Sequence, residues 1–581
     1  MRSAIETDDS QSKVQPEAEQ GAEPPAQSQP EPNAEVVPLR ERALGWARRA
    51  TEGDRPWFAL SWLGLLILAY LIVRHGDDAG VSYDENSQRH YGDLILAWFR
   101  SSFTDQSAMT FRDLYLYGGL FDAPAQWLVQ FSPYGVYETR HFLTAFVALL
   151  GVVATWRIGA AIAGPRGGFL SALILTLTPC WIGHGLFNPK DIPFATAAAF
   201  ASLSSLRLAM GPAPLRLRDI CWAGVTVGIA LAVRPGGNFV VGYPYLAAGF
   251  RLCLEVLRRV KLRAPLGIGR LTVSLVSCVL LVLVIAWPIM LLTWPWAQLE
   301  PFKRPLAAMA AARRFNWTGT VLFEGNLIDA GNLPLRYLPV WFKVTLPEIY
   351  LLAALAIAVL LVGLAIRRPK LVGEHVLGWT MLSTFVGLPF AAVLITRPVL
   401  YDAQRHVLFL LPPLAALAGC VLSEVFGAEW LPRAVRGAFA GVFVGLAILV
   451  SVDIVQLHPF EYTYFNRLSG GLVKQYRRFE TDYWSIGYRE GLEYVVKQLP
   501  QLDPSRRTRV VGCDLAGNER LEYYLAQWPG ASDHVRVTRN YEQADVLIAT
   551  KRWNCHRRPG KTIAAITRQD APLVWIRKIQ H

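Results

Sequence analysis

Four groups of ionisable residues in this sequence stand beside long apolar runs, where a charge is costly to keep and usually has a task. They are Asp84-Glu85, Lys190-Asp191, Arg234, and Asp402 with Arg405-His406. A carboxylate suits abstraction of a hydroxyl proton. Guanidinium, ammonium and imidazole groups suit the holding of a phosphate. These types together fit displacement at a carbon that carries a lipid phosphate as its leaving group. Asp84 would be the base, with Lys190, Arg234, Arg405 and His406 on the phosphate. Glu85 or Asp191 would orient that base, raise its pKa by like-charge proximity, or act as the nucleophile of a double displacement. Asp84 and Asp191 also offer oxygens to a divalent cation. Each group has a plainer reading beside this one. Asp84-Glu85 can cap a helix that starts near Asn86. Asn188-Pro189-Lys190-Asp191-Ile192-Pro193 can be an ordinary turn and helix start. Arg234 can snorkel, and Arg405-His406 can anchor a span at the interface.

The elements that must position these groups are membrane spans. With 581 residues, 52% apolar content and long apolar runs between short basic loops, the chain reads as polytopic. Eleven runs qualify, near 57–73, 139–162, 168–186, 191–210, 219–233, 237–255, 270–293, 347–366, 374–396, 406–425 and 436–455. Residues 1 to about 40 are rich in Glu, Gln, Pro, Ala and Ser without periodicity, which predicts a disordered tail. Arg40, Arg42, Arg48, Arg49 and Arg55 follow it and place the N-terminus in the cytoplasm. Basic residues then recur at every second loop, among them Arg157, Arg207, Arg258, Arg367 and Arg433. That alternation puts all four ionisable groups, and everything after Ser451, on the outer side.

Length is invested on that side. The loop 74–138 holds amphipathic pieces such as 93–99 and 126–129, suited to lying in the interface. The loop 294–346 interleaves Trp294, Trp296 and Trp317 with Lys303, Arg304, Arg313 and Arg314. It reads equally as an interfacial belt or as a dock for an anionic head group. Residues 456–581 form a soluble module: strands near 508–512, 535–537, 544–549 and 574–576 and a helix over 519–527 predict a small α/β layer. Of the seven cysteines, five lie in or beside spans; Cys513 and Cys555 lie in the module and can pair if it faces an oxidising compartment. The formal charge of +13 is dispersed among loop ends, so nucleic acid is not an expected partner.

Several stretches also resemble a known family. These are Asp84-Glu85, Phe187-Asn188-Pro189-Lys190-Asp191-Ile192-Pro193-Phe194-Ala195, and Arg405-His406 before Leu410-Leu411-Pro412-Pro413-Leu414. Also included are Tyr337-Leu338-Pro339-Val340-Trp341, His458-Pro459-Phe460-Glu461-Tyr462 and Glu480-Thr481-Asp482-Tyr483-Trp484. The ordered set, over roughly 57–495, is similar to bacterial family-39-type glycosyltransferases of the GT-C superfamily. Protein O-mannosyltransferases and the aminoarabinose transferases of lipid A belong to the same superfamily. The resemblance implies a mainly α polytopic bundle in a bacterial inner membrane and a polyprenyl-phosphate sugar donor. The acceptor would be a protein, lipid A or polysaccharide on the periplasmic face, and Asp84 the general base. It also implies that Asp191 sits where some relatives place a second acid, with a metal in some of them. The competing expectation is a transporter or lipid flippase that uses the same charges as a relay. That class predicts an internal repeat, which the sequence does not show by eye.

Overall fold

Without water to satisfy it, a backbone crossing lipid closes its hydrogen bonds within helices. The computed structural model accordingly shows a helical bundle joined to a small mixed sheet. It describes residues 54–211, 215–261, 263, 268–311, 317–367, 373–498 and 507–580. The N-terminal tail, Arg40, Arg42, Arg48 and Arg49 of the basic collar, and Arg313 and Arg314 lie outside the described residues.

Among the described residues, nine helices are long and apolar enough to cross a membrane. One of them, Val136–Thr176, has non-helical backbone at Ala163 and Gly164, with Gly164 at φ +69°. A Cβ on Gly168 would lie 2.8 Å from Trp156, whereas a straight helix would hold the two roughly 18 Å apart. The run therefore folds back on itself, and a glycine sits at the bend because backbone at positive φ with ψ −173° is open essentially only to glycine. Leu217–Val233, 17 residues long, packs along Ile268–Leu291. Gly224 and Gly228 allow the close approach there, since a Cβ on either would meet the facing helix at 2.6–2.8 Å. With the bent helix taken as two and this shorter one added, the helices coincide with the eleven apolar runs. One run differs in detail. The expected continuous span 168–186 breaks after Thr176 and restarts as Pro179–Phe187. Pro179 has no amide hydrogen to donate and disfavours helical backbone at Thr178.

Two helices form the centre of the bundle. The apolar windows of Asp191–Met210 and Arg405–Gly427 are 89% and 83% buried, against 11% for the peripheral Arg55–His75. The two central helices are the ones that begin at Asp191 and Arg405.

The remaining elements make a second layer. It contains the helices Glu85–Arg100, Asp122–Val129 and Tyr337–Thr345, and the antiparallel pair β1 (Thr320–Phe323) and β2 (Asn326–Asp329). A five-stranded sheet follows, of order β4-β3-β5-β7-β6. Its strands are β3 (Thr508–Val511), β4 (Val535–Val537), β5 (Val546–Thr550), β6 (Lys561–Arg568) and β7 (Ala571–Lys578). β3 runs parallel to β4 and β5, and β7 antiparallel to β5 and β6. β6 is absent from the sequence reading because, as an edge strand with no fully buried residue, it carries little hydrophobic signal. Cys513 and Cys555 form a disulfide with Cα atoms 5.7 Å apart. A single apolar core joins Val81 of the first loop, Phe187, Trp341, Phe460 and Trp484 to Ile548 and Val574 of the sheet.

Candidate active site

Asp84 stands at the N-cap of the helix Glu85–Arg100, on a loop sewn into the C-terminal module. The Val81 amide donates to the Tyr524 hydroxyl at 2.6 Å, and the Tyr83 amide to the Trp484 carbonyl at 3.1 Å. The side chain of Asp84 is 32% exposed, and its nearest cation is Arg405 Nη1 at 3.8 Å. Glu85 points elsewhere, as successive helical residues do, about 100° apart. It is 1% exposed, accepts the Ser82 amide at 2.6 Å and lies 2.9 Å from His141 Nε2. The amide contact ties the Glu85 side chain to the turn just before the helix.

Asp191 opens a central helix, where the positive end of the helix dipole favours a carboxylate. Its two oxygens are taken. Oδ1 lies 2.5 Å from Arg234 Nη1; Oδ2 lies 3.5 Å from Arg405 Nη1 and accepts from Asn188 at 3.0 Å. Arg234 reaches this place because Leu217–Val233 ends one residue before it. Arg405 is sandwiched between the Tyr401 and Trp484 rings, 4.6 and 4.7 Å from their centroids, and pairs with Asp402 at 3.1 Å. Its guanidinium thus stands between Asp84 and Asp191. Lys190 Nζ lies 3.9 Å over the Tyr117 ring and forms no ion pair among the described residues. His406 packs edge-on against Tyr401, with Nδ1 buried and without a hydrogen-bond partner. The structure therefore gathers Asp84, Lys190, Asp191, Arg234 and Arg405, sets His406 beside them, and leaves Glu85 out.

Two members of the cluster carried no signal in the sequence reading. Arg552, from the C-terminal module, donates to Asp402 Oδ1 at 2.6 Å and to the Tyr483 carbonyl at 2.7 Å. Tyr117 arrives on a loop stapled to the ends of two helices. The Gly119 amide donates to Thr293 O at 3.0 Å, and Leu120 to Ala232 O at 3.3 Å. Gly118 is required there, since a Cβ would fall 1.9 Å from the Ala232 carbonyl oxygen. Burial alone would raise the Tyr117 phenol, but Lys190, Arg234 and Arg405 outweigh it and hold its pKa below the ordinary value. The field at that ring is therefore positive. Four cations face three carboxylates, which leaves room for an anion.

A divalent cation shared by Asp84 and Asp191 does not fit this donor set. Both Asp191 oxygens are committed to guanidinium or amide donors, and Arg405 fills the space between the two carboxylates. The two acids are visible in the sequence, but the cationic side chain that contacts both comes from a distant part of the chain.

No family model matches the chain, and no curated protein does. Among solved structures it is similar to ArnT from Cupriavidus metallidurans bound to undecaprenyl phosphate, with 14% identity and a TM-score of 0.44 over 90% of this chain and 98% of that one. It is also similar to the Archaeoglobus fulgidus oligosaccharyltransferase in its apo form, with 12% identity and a TM-score of 0.43 over 84% of this chain and 65% of that one. A third is the archaeal oligosaccharyltransferase AglB from Archaeoglobus fulgidus in complex with an inhibitory peptide and a dolichol-phosphate, with 12% identity and a TM-score of 0.42 over 85% and 70% of the two chains.

Proposed function

We propose that this protein transfers a sugar from a polyprenyl-phosphate donor to an acceptor hydroxyl at the membrane surface, by single displacement with Asp84 as base. The observation that carries the reading is the contrast between two carboxylates around one guanidinium. Asp84 is open to solvent and loosely paired, whereas Asp191 is 2% exposed and clamped by Arg234 and Arg405. A base needs free lone pairs and access, and Asp84 has both. A retaining double displacement needs a second free carboxylate as nucleophile. Asp191 is clamped, and Glu85 is tied to the Ser82 amide and His141, so neither is poised for that role.

In the proposed step, Asp84 takes the proton of the acceptor hydroxyl as its oxygen attacks the anomeric carbon. The bond from that carbon to the phosphate oxygen breaks, and the lipid phosphate leaves with the electron pair. Lys190 is the cation free to meet it, with Arg405 and Arg234 supplying fixed positive field. The resemblance of the sequence motifs names the donor class and suggests protein, lipid A or polysaccharide as acceptor. The disulfide between Cys513 and Cys555 supports an oxidising, periplasmic side for the C-terminal module.

The test uses the full chain in nanodiscs with a labelled polyprenyl-phosphate sugar and membrane extract as acceptor. Wild type should form labelled product, and Asp84→Asn should lose about 10²- to 10⁴-fold in rate while keeping its melting temperature. Full transfer by Asp84→Asn would remove Asp84 from the chemistry. Movement of the lipid across liposomes without any transfer would favour a transporter.

A further inference from the structure

The loop that leads to Asp84 begins at a cluster the transfer step does not use. His75 ends the first spanning helix, Asp78 follows in the loop, and His458 stands just past the last spanning helix. His75 Nδ1 lies 2.8 Å, and His458 Nε2 2.9 Å, from the same oxygen, Asp78 Oδ2. One ligand atom from each residue falls within 4.8 Å of the other two. A tetrahedral zinc site with its usual bond lengths has donor atoms roughly 3.3 Å apart, so small side-chain adjustments would seat an ion among these three.

A second observation stands behind the first. The other ring nitrogen of His458, Nδ1, faces Glu461 Oε1 at 2.6 Å. Glu461 is 1% exposed, and its Oε2 has no hydrogen-bond partner. A buried carboxylate behind a histidine fixes the tautomer in which the outward nitrogen is the ligand. A carboxylate alone would suit magnesium or calcium, but two imidazoles with one carboxylate suit zinc and its neighbours. His75, Asp78 and His458 are 49%, 39% and 30% exposed, so an ion has a path in and a place for a water as fourth ligand.

We propose that His75, Asp78 and His458 form a zinc-class cation site, with Glu461 orienting His458 from behind. A cation there ties the first spanning helix to the last and clamps the start of the Asp84 loop. The site stands apart from the sugar-transfer reading and holds whether or not that reading does. Without the ion, the same residues form a hydrogen-bonded ion-pair network, and the experiment separates the two.

The full chain, purified without a histidine tag and stripped with chelator, is titrated with Zn²⁺ by calorimetry. Metal content is then measured after desalting. Wild type should retain one Zn²⁺ per chain, and zinc should raise its melting temperature. His75→Ala and Asp78→Asn, both at partly exposed positions, should each weaken binding at least about tenfold, and Glu461→Gln by about 10- to 100-fold. Co²⁺ loaded in place of zinc should give the visible bands of a low-coordinate nitrogen and oxygen site in wild type, and none in His75→Ala. Wild type that retains no zinc overturns the proposal. So does unchanged binding in both His75→Ala and Asp78→Asn, because the metal would then lie elsewhere, for example at the exposed Cys253.

Discussion

Asp84, Glu85 and Asp191 are acids of similar intrinsic strength whose surroundings set them apart. Glu85 is held by the Ser82 amide and His141, Asp191 by two arginines, and Asp84 alone keeps access to solvent. Arg405 is the residue on which this division depends. It pairs with Asp402, reaches Asp84 and Asp191, and lies between two aromatic faces. A lysine has a point charge and no planar face, so it cannot reproduce these contacts together. Arg405→Lys should therefore be inactive in the transfer assay and should melt at a lower temperature. Breaking a buried ion pair costs about 3–5 kcal/mol, and the conservative charge should recover only part of that. Chemical denaturation alongside the transfer assay measures both effects, and an active, equally stable variant would contradict the assigned role.

At the scale of elements, short connections place the site. The Tyr117 loop is held by two backbone hydrogen bonds and by the contact of Gly118 with the end of Leu217–Val233. Gly118→Ala must move that backbone, since the clash is with a carbonyl and not with a flexible side chain. The expected outcome is a lower melting temperature and a several-fold rise in KM for the lipid-phosphate donor, as Tyr117 shifts from Lys190. The bend at Gly164 makes a different prediction. A Cβ there meets nothing within 4 Å, so Gly164→Ala should cost only the strain of a backbone conformation open essentially to glycine alone, about 1–3 kcal/mol. Denaturation of both variants compares steric clash with backbone strain.

For the molecule as a whole, the C-terminal module is part of the site's scaffold. Arg552 reaches Asp402, and the core shared with the first loop makes the position of Asp84 depend on the module. Glu480 lies in the same region, and burial, with the nearby Asp402 charge, raises its pKa to about 8 against the partial offset of Arg552 and Lys551. The folded protein then keeps a proton on Glu480 in a range where the unfolded chain has lost it. Stability should accordingly fall as pH rises from about 4.5 towards 8, and Glu480 should add no further slope beyond. Melting curves from pH 5 to 8.5 should show a shallower decline for Glu480→Gln than for wild type. Equal slopes would mean that Glu480 does not titrate in this range.

The sequence by itself determined the apolar spans, the places where charged groups meet them, and most of the small sheet. Those follow from local rules: run length, loop charge and strand alternation act within a few residues. The break at Pro179 and the edge strand β6 escaped because one is a single-residue backbone effect and the other has almost no buried face. Only the tertiary structure decided which acid is free. Asp84, Asp191, Arg234, Arg405 and Arg552 come from distant parts of the chain, and the lone pairs each carboxylate keeps depend on contacts between them. Adjacent in sequence, Asp84 and Glu85 look alike; a turn of about 100° along the helix sends one to the cation cluster and the other into the protein.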